Sequence, residues 1–447
     1  MLINRKKLFK IHSWIGVKLS VLFFVVCFSG TLAVLSSEMD YLVQPGIRAT
    51  PQPTFASKNT IVKNLRERFP DADLGYWAGA REPYLCDLIT VKRANGKYTY
   101  VFANPYTGEI QGTANLTVQR YFRDLHYYLF IPFQVGHFTV LLFAFLLLFS
   151  LLTALLFSKK WYRKFLEIKR GKGRLVYFRS LHRLVGAWTV PFLLLFALTG
   201  VWYFLERTNT AGISRIANTK TPEIAAPLPD STDMEELAWQ LDYDRAVDSA
   251  RAYIPGLIVK DIAIPRKPNR PIYLTGISDV PLVRNRANRV YVHPGTYEVT
   301  FVQKAAESPT VTWLNDIMDP IHFGSFGGLW TKLLWFCSGL GISGLILTGI
   351  YISRKRKVKN EVAQKAQRLG GWKYYNWGVV VLMFVFMFYI LITRYQADLP
   401  VLLFISGGWA LMGLGAWYLF VYRLQKAVQG PRPRVRSKGP RGKEQSP

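Results

Sequence analysis

Six apolar runs, each long enough to cross a bilayer, constrain this chain more than anything else in it. A membrane-spanning helix needs about 20 predominantly apolar residues. Such runs lie at roughly 13–35, 135–157, 183–205, 329–352, 375–393 and 400–422. The last two are joined by a short turn around Asp398 and Pro400, which makes them a helical hairpin.

The charge has to be reconciled with that apolarity. The chain carries a formal charge of +29 although half of its residues are hydrophobic. A strongly basic chain first suggests a nucleic-acid partner. Here the basic residues flank the apolar runs, which is the signature of membrane orientation and excludes nucleic acid as the partner. Arg5, Lys6, Lys7 and Lys10 precede the first run, and eight lysines and arginines fill residues 159–174. Residues 354–359 and the tail after 423 carry the remaining clusters. All four fall on one side, so that side is expected to be cytoplasmic, with both termini there. The basic start followed by a long apolar run reads as a retained anchor rather than a cleaved signal. Of three cysteines, Cys27 and Cys337 lie inside apolar runs and Cys86 is alone in a polar stretch, so no disulfide framework or CxxC site is expected.

The predicted layout is a tail and first span over 1–35, an external domain over 36–120, two spans with a basic connection over 121–205, a second external domain over 206–315, a fourth span over 316–356, the hairpin over 357–422 and a basic, disordered cytoplasmic tail over 423–447. Each insertion has a helical stretch (59–69; 243–253), then strand-like alternation. Each ends in a similar hairpin, Tyr100-Val-Phe-Ala-Asn-Pro-Tyr-Thr-Gly-Glu-Ile110 and Val290-Tyr-Val-His-Pro-Gly-Thr-Tyr-Glu-Val299.

These hairpins belong to an internal repeat. Laying His12 on His182 puts Gly16 on Gly186 and Gly30 on Gly200 without a gap, and Leu152-Thr153-Ala154 resembles Leu347-Thr348-Gly349. The fold class is therefore an α-helical membrane protein of six spans. It comprises two parallel repeats plus a C-terminal hairpin, with two small α+β external domains. Parallel repeats imply a pseudo-two-fold axis along the membrane normal.

Ionisable residues in spans default to a functional reading. His12 and His182 begin spans one and three, while His126 and His322 precede spans two and four. Under the pseudo-two-fold axis each pair faces itself, which suits a six-coordinate haem iron between two imidazoles, one site per membrane face. Gly16, four residues past His12, and Gly30, eighteen past it, share that histidine's face on an unbroken helix, as do Gly186 and Gly200 after His182. Small residues also let helices pack closely, but duplication at one offset favours the cofactor. His137, eleven residues after His126, is an alternative outer ligand if the helix continues through Pro132. Lys18 and Lys332 are candidates for haem propionates, or snorkel to the interface. His293 reads as a turn residue. Gly339-Leu-Gly-Ile-Ser-Gly344 matches a dinucleotide fingerprint but lies mid-span without a preceding strand, so it is rejected.

His12-Ser-Trp-Ile-Gly16, Leu125-His126, Leu181-His-Arg-Leu-Val-Gly186, Thr199-Gly200 and His322-Phe-Gly-Ser-Phe-Gly-Gly328 together resemble the PepSY-associated transmembrane helix family. The external domains resemble its PepSY-type domains, and the likeness covers roughly residues 8–356. The resemblance implies a protein of the bacterial inner membrane with two b-type haems. It further implies an enzyme, a ferric-siderophore reductase passing electrons from a cytoplasmic or quinol donor to a periplasmic ferric siderophore. A cytochrome b for another periplasmic acceptor and a non-redox PepSY-type binding or regulatory protein are the alternatives. The substrate cleft is expected over His126 and His322, with aromatic contacts from Trp77, Tyr84 and Trp313.

Overall fold

The computed structural model describes residues 4–158, 161–361 and 372–422. The tail over 423–447, expected to be disordered, lies outside them, as do Lys159 and Lys160 of the basic connection.

The chain opens with α1 (Arg5–Lys18) and α2 (Ser20–Val34), which meet at Leu19 with a bend of 73°. The expected first span over 13–35 is therefore a bent pair, not one helix. Ser20 turns its hydroxyl back to the Val17 carbonyl at 3.0 Å, a side-chain bond that competes with the helix ladder and bends it. Asn376 then donates its side-chain amide to the Lys18 carbonyl at the bend.

Next come α3 (Ser36–Val43), α4 (Lys58–Arg68), β1 (Asp73–Ala78), β2 (Asp87–Lys92), β3 (Tyr98–Ala103) and β4 (Ile110–Ala114). The chain returns through α5 (Val118–Tyr128) and α6 (Phe133–Phe157). The second half repeats this plan: α7 (Arg174–Trp188), α8 (Val190–Arg207), α9 (Ile213–Ala217), α10 (Met234–Gln240), α11 (Tyr243–Tyr253), β5 (Ile258–Ala263), β6 (Ile272–Ile277), β7 (Asn288–Val292), β8 (Val299–Gln303), α12 (Thr310–Phe323) and α13 (Gly328–Glu361). The hairpin is α14 (Trp372–Thr393) and α15 (Leu399–Trp417). The break between α7 and α8 falls at Thr189, the position matching Leu19. There the Thr189 hydroxyl bonds back to the Val185 carbonyl at 2.8 Å, and Pro191 stands in the first turn of α8. Among the described residues five helices are long and apolar enough to cross a membrane, or six if the bent pair counts as one.

The two insertions do not form separate domains. Their strands join in one eight-stranded sheet of order β4-β3-β2-β1-β5-β6-β7-β8, closed by the antiparallel pairs Trp77↔Ile262 and Ala78↔Asp261. That order is palindromic about the β1–β5 junction, so the axis relating the halves runs through the junction, normal to the sheet. Helices α4, α10 and α11 cover one face with a core of Ile61, Leu65, Trp77, Tyr243, Ile262 and Leu274. The helix N-termini of α4 and α11 cap each other across the axis. Asp244 accepts from the Lys58 amide at 2.7 Å, and Asn59 accepts from the Tyr243 amide at 2.8 Å.

The sheet's faces correct one expectation. Trp77 is fully buried in the core, with its indole nitrogen donating to Asp87 at 2.8 Å, and cannot line a cleft. Strand alternation sends its neighbour Tyr76, 46% exposed, to the opposite face. Tyr84 donates to Glu38 at 3.0 Å, and Trp313 is exposed on α12. At the hairpin turns, Asn104 Oδ1 accepts from the amides of Tyr106 and Thr107, and His293 Nδ1 takes the same part for Gly295 and Thr296. His293 is a turn residue.

Candidate functional site

The two breaks and the two helix-to-helix returns bring four histidines into two facing pairs. His12 on α1 faces His182 on α7, with ring centres 6.3 Å apart and planes crossing at 79°. His126 on α5 faces His322 on α12, with ring centres 6.2 Å apart and planes at 30°. The first pair lies by the far ends of α6 and α13, the second on the sheet side.

Every ring is held from behind through Nδ1. His12 reaches the Ser150 carbonyl at 3.0 Å and His126 the Val26 carbonyl at 2.9 Å. His182 reaches the Thr348 hydroxyl at 2.8 Å and His322 the Thr199 hydroxyl at 2.7 Å. A carbonyl only accepts. Each threonine hydroxyl has already given its hydrogen to a carbonyl one turn back, Gly344 for Thr348 and Leu195 for Thr199, both at 2.8 Å. All four Nδ1 atoms must therefore donate, which leaves a lone pair on each Nε2. This is how a metal-ligating imidazole is oriented and made more basic. Thr199 precedes the repeat glycine Gly200 and Thr348 lies in the repeated Leu-Thr pair, yet their role could be seen only once the helices were packed.

The pairs fit a bis-imidazole haem. A metal–nitrogen bond of about 2 Å, plus roughly 1.1 Å from ring nitrogen to ring centre, on both sides, sums to about 6.2 Å. Two imidazoles do not complete a protein-only metal site, and among the described residues no three of His, Cys, Asp or Glu converge. The remaining positions suit the four nitrogens of a macrocycle.

The glycines divide differently from the sequence expectation. The face-sharing of His12 with Gly30 assumed an unbroken helix, and the bend at Leu19 removes that premise. Gly30 instead makes room for His126, because a Cβ there would lie 2.7 Å from the ring. A Cβ on Gly200 would meet Ala144 at 2.6 Å, so this glycine serves the packing of α8 on α6. A Cβ on Gly186 would make only ordinary contact with Leu345, and one on Gly16 would meet no atom within 4 Å.

His137 does not face His322. Leu129 and Phe130 adopt positive φ, the chain turns between α5 and α6, and the His137 ring stacks on Phe133 with Nδ1 on the Tyr127 carbonyl at 3.2 Å. Lys332 is also differently employed: its buried ammonium pairs with Glu38 at 2.7 Å and with Glu82, tying the β1–β2 loop and α3 to α13 in place of a propionate. Lys18 closes α1 at the bend.

The surroundings of the pairs differ. Near His12 the ring neighbour is Phe157 at 5.5 Å. Around the sheet-side pair the charge density is high. Tyr203, 5.5 Å from the His322 ring, donates to Asp319 at 2.8 Å, and Arg284 joins Asp319 to the buried Asp316. On α5 the buried Asp124 accepts from Tyr128 at 2.8 Å and from Tyr395 just beyond α14. The hairpin thus braces both sites, through Asn376 at the bend and Tyr395 at α5.

The sequence profile of the PepSY-associated TM region matches residues 9–356, which takes in both halves and ends before α14. The uncharacterized protein PA4219 of Pseudomonas aeruginosa is 27% identical over 251 residues, covering 52% of this chain and 62% of that protein. The chain thus spans less than two thirds of that relative.

Proposed function

Because the chain belongs to the PepSY-associated TM family, we propose that it is a transmembrane di-haem b oxidoreductase of the bacterial inner membrane that reduces ferric siderophores in the periplasm. His12 and His182 would hold one haem, and His126 and His322 the other. A haem held by two imidazoles supplies one-electron exchange. The single observation that carries the reading is the recurrence, at both ends of the bundle, of an imidazole pair at haem spacing with every Nδ1 already committed.

The basic clusters flank the end with His12 and His182, so that end faces the cytoplasm, where a soluble or quinol donor delivers electrons. The sheet then covers the periplasmic pair. A ferric siderophore is too polar to enter hydrocarbon, and the charged sheet side offers it a wet approach to His126 and His322. There one electron converts ferric to ferrous iron, which hard oxygen ligands hold less well. Two main-chain carbonyls and two threonine hydroxyls fix the ring tautomers, and Asn376 and Tyr395 brace the helices.

The test is an absorption spectrum of the full chain purified in detergent. A reducible Soret and α-band pair with about two non-covalent haems per chain is expected, since no CxxCH attachment motif is present. A colourless protein after haem-supplemented expression overturns the reading.

A further inference from the structure

Helices α4 and α11 open at matching positions in the two halves, α4 with Lys58 and α11 with Tyr243. Tyr243 is fully buried, its hydroxyl donating to the Ala238 carbonyl at 2.7 Å. Lys58 instead lines a cavity of about 150 Å³ walled by residues of both halves. Two further charges in that wall are missing at the matching positions. Asp87 opens β2 where Ile272 opens β6, and Lys260 is third in β5 where Gly75 is third in β1. The same plan is thus built once without these three charges. Their meeting at one cavity is not a demand of the architecture.

The hydrogen bonds show which of the charges are taken up. The Asp87 carboxylate accepts from the Trp77 indole at 2.8 Å, the Ala80 amide at 2.7 Å and Lys58 at 3.3 Å. Asp244, in the same wall, is engaged by Ser57 and the first amides of α4. Arg251, also in the wall, has Asp248 at 3.7 Å. Lys260 differs from these. It is half-buried, donates to the Ala80 carbonyl at 3.0 Å and makes no ion pair among the described residues. An ammonium carries three donors, so two on Lys260 have no protein acceptor. Such a group favours an anion, because hydrogen bonds between ionised partners are the strong ones.

The remaining wall is largely apolar. Phe55, 46% exposed, stacks on Tyr106 with ring centres 5.3 Å apart and planes at 15°. Pro83, Pro105 and Val247 add apolar surface. A cavity of this volume holds a benzene-sized ring. We propose that the cavity binds a monocyclic carboxylate, its carboxylate on Lys260 and Lys58 and its ring against Phe55 and Tyr106. Nothing in this site depends on haem, so it stands or falls apart from the function reading.

The test is equilibrium dialysis of benzoate, benzamide and acetate against the full chain in detergent, with protein-free micelles as the blank. Benzoate is expected to bind with a Kd of about 1 mM or tighter, as suits a ligand of its size. Benzamide has the ring without the charge and acetate the charge without the ring, and each should bind about tenfold more weakly. Lys260→Met should weaken benzoate about tenfold and leave benzamide unchanged. Phe55→Ala should weaken benzoate and benzamide alike. Benzoate held equally by wild type and Lys260→Met, or no better than benzamide or acetate, overturns the proposal. So does a cavity that takes none of the three probes and holds water alone. Should Lys260→Met fail to fold, Phe55→Ala decides, since its side chain is exposed: weaker benzoate binding upholds the site and unchanged binding overturns it.

Discussion

The first and second halves of the chain hold equivalent histidines by different means. In the first half the Nδ1 partners are main-chain carbonyls, Ser150 for His12 and Val26 for His126. In the second they are threonine hydroxyls, Thr348 for His182 and Thr199 for His322. The glycines diverge in the same way: Gly30 clears space for an imidazole and Gly200 for a neighbouring helix. What the repeat preserves is ring spacing and tautomer, 6.3 and 6.2 Å with every Nε2 left free. Side chains around that geometry are free to drift provided an acceptor remains behind each ring. The drift makes the protein asymmetric, and an asymmetric site can orient an asymmetric ligand.

The strongest way to break the equivalence is to remove one histidine from each pair. The His322→Ala protein is expected to lose half of its bound haem and all ferric-siderophore reduction, while its donor-side reduction survives. His12→Ala should fail in the opposite half-reaction, accepting no electrons from the donor yet being reoxidised by ferric siderophore after chemical reduction. Because the imidazole planes cross at 79° in one pair and 30° in the other, the two low-spin signals should differ in electron paramagnetic resonance, which identifies the lost haem. Stopped-flow mixing of membranes with ferric siderophore checks the rates. Reoxidation of His322→Ala at the wild-type rate would remove the sheet-side pair as the exit point.

A smaller effect sharpens the comparison between the halves. Thr199→Val and Thr348→Val remove the acceptor behind one histidine each while keeping side-chain shape. Loss of such an outer partner typically costs about 10–100-fold in affinity. Each variant should weaken haem retention at its own pair only. Ser150→Ala is the control, because the Ser150 carbonyl that serves His12 survives it. Haem transfer to apomyoglobin reads all three. An equal loss in Ser150→Ala would show that the hydroxyl at 3.2 Å, not the carbonyl, holds His12.

How much of this was legible in the sequence depends on the range of the interaction. The histidine pairs were legible because duplication at a fixed offset is a one-dimensional signal. The bend at Leu19 was not, since Ser20 is an ordinary residue in an apolar run and Asn376, which meets the Lys18 carbonyl, lies far along the chain. That bend is why the periodicity argument for Gly30 failed although the residue does touch the site. Alternation marked strands after the helical stretch without placing β1, and one register step decides whether Trp77 or Tyr76 enters the core under α4 and α11, which no local pattern settles. The union of the insertions through Trp77↔Ile262 leaves no trace in either segment. Lys332 read as a cofactor group because its carboxylate partners, Glu38 and Glu82, come from the other half.

The smallest expected difference between the halves concerns how α5 and α12 begin. The N-terminus of α5 is met by a carboxylate from α3: Asp40 accepts from the Val118 amide at 2.6 Å and the Gln119 amide at 2.9 Å. α12 starts after Pro309 with no side-chain cap at all. Asp40 is 2% exposed, and burial pushes its carboxyl up to about 6 despite the hydrogen bonds that favour the charged form. Its folded pKa thus exceeds the unfolded value of about 3.9. Between those values the folded state binds more protons, so Asp40 makes stability fall as pH rises toward 6 and has no further effect above it. Asp40→Asn removes that titration. The stability difference between variant and wild type should therefore move in the variant's favour by on the order of 1–2 kcal/mol between pH 4.5 and 7, whatever other groups contribute to each protein's own profile. Thermal unfolding of both proteins in detergent across that range measures it. A difference that stays flat with pH would mean that the two amides hold Asp40 charged throughout, and that the first half's cap is no more pH-sensitive than the second half's lack of one.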